Sequence, residues 1–414
     1  VTGLAEDTVY TDALIIDQVN ASKNWTVGMI PATLNGQQVF VTSNLFNVAG
    51  VNTVVEKVIF DSGVRAINAY PAGDTQTSSM NFSSYGMFSK GLYGGAPITP
   101  NLKEVHGYPN TKSMHSAFAK VQSLISAPTI PANVTSMSST FANAQSLISA
   151  PNIPASVTSM VSTFNGCTSL TSAPVIPANV TNMYSTFRSC SNLTSAPIIP
   201  ANVTNMYQTF SYCYNLTSAP AIHNSVTNMY QTFYSCSSLT SPPDMSNAIN
   251  LTNMSMTFYN CYSLTSAPTI PANVTDMANT FYNCRNLIEA PAIPANVTDM
   301  YSTFFSCIRL ISEPAIPNSV TNMSRTFQSC SNLTSAPTIP PNVTDMSFTF
   351  HGCSNLTSPP DMSNTINVTN MGSTFYGCSN LTSAPNIPNS VTSMAYTFRD
   401  CFKLTSAPTI PANV

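Results

Sequence analysis

The sequence predicts a β-rich repeat solenoid, and three observations carry that expectation. A phenylalanine recurs at 118, 141, 164, 187, 210, 233, 258, 281, 304, 327, 350, 375 and 398, in steps of 23 with 25 appearing twice. A fixed period in the twenties means one small unit stacked on itself. Each unit also carries six apolar positions, such as Leu193, Ile199, Val203, Met206, Phe210 and Cys213. Spread over one turn of chain, these meet only inside a coil with another coil stacked on it. Finally, β-branched pairs such as Val203-Thr204 alternate with corners such as Pro200. The pairs fit extended structure, whereas proline has no N–H and ends a ladder.

Each part of the unit has a predicted conformation. The Leu-Thr-Ser-Ala step suits a short extended segment. Met206 and Phe210 stand four apart, so both would point inward from one helical or 3₁₀ turn. Each coil would add a rung of about 4.8 Å, so thirteen would span roughly 60 Å.

The run Ile-Pro-x-x-Val-Thr-x-Met-x-x-Thr-Phe-x-x-Cys-x-x-Leu-Thr-Ser-Ala-Pro resembles the BspA-like leucine-rich repeats. It also resembles the related repeat of unknown function in mycoplasma lipoproteins. Both families pair Val-Thr-x-(Ile/Met) with Phe-x-x-Cys-x-x-Leu-Thr in the same order. The likeness covers 109–414 well and 53–108 weakly. Where the family has Ile or Leu three places after the first Leu, this chain has Ala196, Ala219, Glu313, Pro242 and Pro359, which predicts a less buried strand there. The resemblance implies a leucine-rich-repeat-like solenoid of about 13 coils of 23–25 residues, with short parallel strands and short helical or 3₁₀ turns. It also implies a secreted or surface-attached protein, often an adhesin, without implying a ligand.

Three regions follow. Residues 1–48 lie outside the period and hold the lone Trp25 and a strand-like Val39-Phe40-Val41. They read as an N-terminal β cap or attachment segment, because a solenoid must hide its first rung. Residues 49–108 read as worn first repeats, with a Ser-, Gly- and Tyr-rich insertion at 74–98. Residues 109–414 are the regular solenoid. Two copies, around 241–250 and 358–367, carry two extra residues, expected to bulge at one corner without breaking the stack. The repeat stops midway through a copy at Val414. An open apolar end needs a cover. That is met by further chain or by another subunit, and head-to-tail contact with the next N-terminal cap would build a filament.

Composition removes several functions. Charged residues make up 7% and the net charge is −3, so no basic patch could hold a phosphate backbone, and nucleic acid is not an expected partner. No run of eighteen apolar residues is present, so no transmembrane helix is expected. The chain begins at Val1 without a basic-then-apolar leader, as after signal removal or where the stretch starts within a longer chain.

Chemistry is sparse. His106, His115, His223 and His351 occupy unrelated slots with no repeated carboxylate beside them, so no nucleophile–base pair or metal cluster is assembled. No enzyme activity, cofactor or metal is expected. The eleven cysteines, among them Cys190, Cys213, Cys236 and Cys261, all sit three after the repeat Phe, in one slot. An odd count in one slot does not form a paired framework, and parallel Cβ vectors suit a disulfide poorly. They read as a column of small buried thiols, forming a structural ladder with Phe187, Phe210, Phe233 and Phe258. Asp276, Asp299 and Asp345 share a slot with Asn182, Asn205 and Asn322. They read as solvated stand-ins for Asn, with a bound cation as the other reading. Asn-Val-Thr sequons such as Asn133 and Asn202 belong to the template, so their frequency follows from duplication. In a secreted eukaryotic protein they would accept glycans.

The slots that vary point to the function. Tyr234, Tyr259, Tyr262, Tyr282, Tyr301 and Phe305 concentrate in consecutive coils, with Arg285 and Arg309 beside them. Aromatics with Arg are the composition of contact surfaces; stacked Tyr shielding the turn is the other reading. Together with what the resemblance implies, this predicts a non-enzymatic extracellular or cell-surface adhesin or binding scaffold with a protein or glycan partner. Its alternatives are a filament or coat subunit that self-associates through Val414, and a phage receptor-binding fibre.

Overall fold

The computed structural model describes residues 102–108 and 111–414, and before them the backbone of six short strands. Trp25, Val39, the 74–98 insertion and most of the segment read as a cap lie outside the described residues. Two compact units are present, Val1–Val203 and Thr204–Val414.

The first unit begins with β1 (Val27–Ile30), β2 (Thr33–Leu34), β3 (Gln37–Gln38), β4 (Phe40–Val41), β5 (Lys57–Phe60), β6 (Arg65–Ala66) and β7 (Glu104–His106). β1, β5 and β7 form a parallel sheet in that order, with Val27 opposite Lys57 and Lys57 opposite Glu104. β4 pairs in parallel with β6, and β2 with β3 antiparallel. Strands of the 1–48 segment and of the worn repeats therefore pair in parallel with one another.

From β7 onward the ladder thins to single residues. Glu104, Ser126, Ser149 and Ser172 bridge in parallel, as do Ser113, Ser136, Ser159 and Asn182 in a second column. In the second unit that column runs from Asn205 through Asn228, Asn253, Asp276, Asp299, Asn322, Asp345 and Asn370 to Ser393. The expected short strands are one-residue bridges because each has a ladder-breaker close by. An Ala-Pro step follows Ser126, Ser149 and Ser172 within two residues, and a left-handed residue follows the second column.

The Met-to-Phe segment is not the helical or 3₁₀ turn expected from its spacing. Residues two before and two after each Phe have positive φ, from Ser116 (54°) and Lys120 (62°) to Tyr396 (57°) and Asp400 (60°). A left-handed residue every fourth position stops a right-handed helix before one turn closes. The backbone hydrogen bonds alternate instead. Ala117, Ala119 and Val121 donate to the carbonyls of Met114, Ser116 and Phe118, while Met114, Ser116, Phe118 and Lys120 donate to Ser136, Ser138, Thr140 and Ala142 of the following coil. With His115 donating to Ser113 Oγ, every N–H from Met114 to Val121 is used.

The core is a set of columns. Val226, Met229, Phe233, Cys236 and Leu239 are each 0% exposed, as are their equivalents in most coils. In the first unit Phe118, Phe141, Phe164 and Phe187 stack with centroids 5.3–5.6 Å apart. In the second unit the same column runs from Phe210 to Phe398. The longer copies do not disturb it: Phe233–Phe258 and Phe350–Phe375 are each 5.7 Å apart, against 5.5 Å for Phe258–Phe281. Their extra chain is absorbed at the corner, where Met245 and Ala248, or Met362 and Thr365, are buried.

Candidate functional site: the turn face of residues 204–414

The turn is fixed by two buried side chains, a Thr hydroxyl shared between two carbonyls and a Cys thiol donating to a third. Thr280 Oγ1 donates to the carbonyls of Met254 (3.0 Å) and Met277 (2.8 Å). Cys284 Sγ donates to the Phe258 carbonyl at 3.1 Å. The pattern repeats at Cys236, Cys261, Cys307, Cys330, Cys353 and Cys378, and all eleven cysteines are free. Burial, then the thiols of adjacent coils, pushes Cys236, Cys284 and Cys378 upward, so they stay protonated and unreactive. The fully buried Thr before each Phe was not singled out from the sequence; its recurrence in every copy after the first was the signal.

The slot before Met works through its oxygen. Asn228 Oδ1 accepts the N–H of Tyr230 at 2.8 Å, and Asp276, Asp299 and Asp345 accept the N–H two residues on in the same way. Asn, Asp and Ser are interchangeable there because each supplies that acceptor. Asp276 is half-buried, and desolvation followed by Asp299 raises its pKa. The sequon asparagines are structural too. Asn202, Asn273 and Asn296 Nδ2 donate to carbonyls of the preceding coil at 2.7–3.0 Å, and Thr275 and Thr298 Oγ1 donate to Thr252 and Thr275. A glycan on such an Asn would compete with that contact.

Outside this frame lies the aromatic ladder. Tyr234, Tyr259, Tyr282 and Phe305 form one stack, with centroids 4.7, 4.2 and 4.3 Å apart and planes within 6°. Burial first, then neighbouring hydroxyls, raises the Tyr234 and Tyr259 pKa values. Exposed Tyr262 carries the Arg285 guanidinium 5.3 Å from its centroid. Arg309 reaches Asn286 at 3.5 Å. Tyr301 belongs to another column, the slot after Met, where Tyr207 and Tyr230 stack at 5.0 Å. Val414 is exposed and donates its N–H to Pro411. Three features escaped the sequence reading: Arg325 over Phe348 (4.6 Å), His351 on Tyr376 (4.7 Å) and Arg399 beside Tyr376 (5.4 Å). They extend the surface along the same turns.

Ala196, Ala219 and Glu313 are half-buried. Shallow recesses between proline corners hold one carboxylate each, Glu289 or Glu313. Among the described residues no three His, Cys, Asp or Glu side chains could hold a metal, and no helix is long and apolar enough to cross a membrane.

Stacked coils with recurring Leu and Phe columns, parallel bridges and one turn per repeat define a leucine-rich-repeat solenoid. The profile of the BspA type leucine rich repeat region matches residues 112–240, 162–288, 252–382 and 324–414, so the chain belongs to that family. Three solved structures are similar. A leucine-rich repeat protein from Bacteroides ovatus is 24% identical over 70% of this chain and 79% of its own, with a TM-score of 0.49. A leucine rich cell surface protein from Faecalibacterium prausnitzii is 19% identical over 92% and 87%, with a TM-score of 0.38. YopM from Yersinia enterocolitica is 13% identical over 93% and 76%, with a TM-score of 0.39. No curated protein matches.

Proposed function

We infer that the chain is a non-enzymatic binding scaffold displayed at the cell surface, an adhesin that engages a protein partner through the turn face of residues 204–414. The observation that carries this reading is the contrast between two adjacent columns. The repeat Phe is invariant and, from Phe118 to Phe375, buried, while the next residue changes from coil to coil and builds a half-exposed stack from Tyr234 to Phe305. A solenoid can vary such a slot freely because no core contact depends on it, and large aromatics with Arg are the usual anchors of protein interfaces. The surface location rests on membership of the BspA type family.

The test is attachment of beads coated with the chain to a panel of immobilised matrix proteins and cell layers. The combined variant Tyr259→Ala, Tyr282→Ala and Phe305→Ala is expected to lose attachment while its circular dichroism and unfolding transition stay near those of the parent. Attachment that survives these three changes rejects the site.

A further inference from the structure

The net charge of −3 conceals a division by slot of the repeat. Within 204–414, the segment from two residues before each Phe to five after it holds Arg285, Arg309, Arg325, Arg399 and Lys403, against Asp400 alone. The rest of each coil holds seven acids, from Asp244 to Asp361, and no Lys or Arg. Five positive and one negative give +4 on the turn face; seven negative give −7 elsewhere; the sum is the −3 of this unit. Like slots lie in register from coil to coil, as the parallel bridges show, so these counts describe columns that run along the coils and not isolated stretches of chain, with Asp276, Asp299 and Asp345 in the column just before the turn. Arg285, Arg309, Arg399 and Lys403 are exposed. Among the described residues no carboxylate pairs with Arg285, Arg309 or Arg325, and Arg399 has only Asp400, at 4.0 Å.

The ring geometry narrows the partner further. Tyr259 and Tyr282 each have a ring stacked on both faces. A sugar ring has no open face there to lie on. What the stack presents is ring edges, the electropositive part of an aromatic, and phenolic hydroxyls able to donate. Edges, hydroxyl donors and guanidinium groups all favour oxygen acceptors bearing negative charge.

Building on the binding role inferred above, we propose that the turn face of residues 204–414 recognises an acidic protein segment, with Arg285, Arg309, Arg325 and Arg399 pairing with its carboxylates and Tyr234, Tyr259 and Tyr282 donating hydrogen bonds beside them. The acidic slots of the coil repel the same segment, which favours binding along the basic turn column. Repulsion of this kind sets orientation as well as choice of partner.

Fluorescent short poly-L-glutamate is the probe, measured by anisotropy against the whole chain, with dextran sulfate and poly-L-lysine in parallel. Poly-L-glutamate is expected to bind, more weakly as salt screens the pairs. The variant Arg285→Gln, Arg309→Gln, Arg325→Gln and Arg399→Gln is expected to bind it about tenfold more weakly, from four partly exposed pairs. Tyr259→Phe with Tyr282→Phe should weaken it to a smaller extent, and Glu289→Gln with Glu313→Gln should not weaken it. No binding at low salt, equal binding by the arginine variant, or preference for dextran sulfate at equal charge overturns the proposal. Loss of bead attachment in the aromatic variant, but not in the arginine variant, would retain the adhesive surface and reject its acidic partner.

Discussion

Two neighbouring columns of the second unit differ by one residue in sequence and by everything in logic. In the inner column, from Phe210 to Phe398, the centroids stay 5.5–5.7 Å apart whether the step is 23 residues or 25. In the outer column the spacing ranges from 4.2 Å at Tyr259–Tyr282 to 4.7 Å at Tyr234–Tyr259, and the ladder is interrupted at Gln328. The inner spacing is set by the backbone, whose hydrogen bonds lock one coil to the next; the outer one depends on which side chains are present. The invariant column therefore encodes the solenoid, and the adjacent one is available to encode recognition.

The largest expected effect separates those columns directly. Phe281→Ala opens a cavity in a fully buried stack and should cost about 3–5 kcal/mol. Tyr282→Ala removes a half-exposed ring and should cost about 1 kcal/mol. Urea unfolding followed by circular dichroism ranks the two, and equal losses would erase the distinction. Next comes the turn between them. Asn279 has φ 55°, so Asn279→Val should cost about 1–3 kcal/mol, whereas Asn279→Gly should be neutral or stabilising in the same titration. A smaller change is expected beneath it: Thr280→Val keeps the shape but removes the bonds to Met254 and Met277, for about 1 kcal/mol.

The smallest effects are electrostatic. The folded pKa of Asp276 is raised, so its charge is disfavoured by folding, and the penalty appears as pH rises from the unfolded value through the folded one. Asp276→Asn should thus stabilise the chain at neutral pH, with the gain fading in acid, and melting temperatures across that range would show it. His351 has the opposite sense. Burial, then Arg325, lowers its pKa, so stability held above its ordinary pKa is lost as pH falls through the lower folded value. His351→Gln should blunt that loss in thermal melts on the acid side of neutrality.

Much of the architecture was legible because stacking repeats imposes one requirement many times over. The Phe, Cys, Met, Val and Leu slots recur because each must face its own copy in the next coil, and the Asn, Asp and Ser slot recurs because each supplies a backbone cap. The conformation of the turn was not legible. Met206 and Phe210 stand at helical spacing, yet the left-handed residues at Gln208 and Tyr212 are tolerated only because their N–H groups find carbonyls at Tyr230 and Tyr234 of the neighbouring coil. That compensation lies about one repeat away in sequence, beyond any local propensity.

The site divides in the same way. The residue types from Tyr234 to Phe305 and their common slot were plain in the sequence. Their face-to-face contact was not, because it depends on how far apart the coils hold equal slots. The sequence alone determined that short units must pile up, since no unit can bury its own apolar residues. Only the tertiary structure decided how the backbone turns within each unit and which side chains meet outside it, because the hydrogen bonds and ring contacts responsible join coils and not neighbours along the chain.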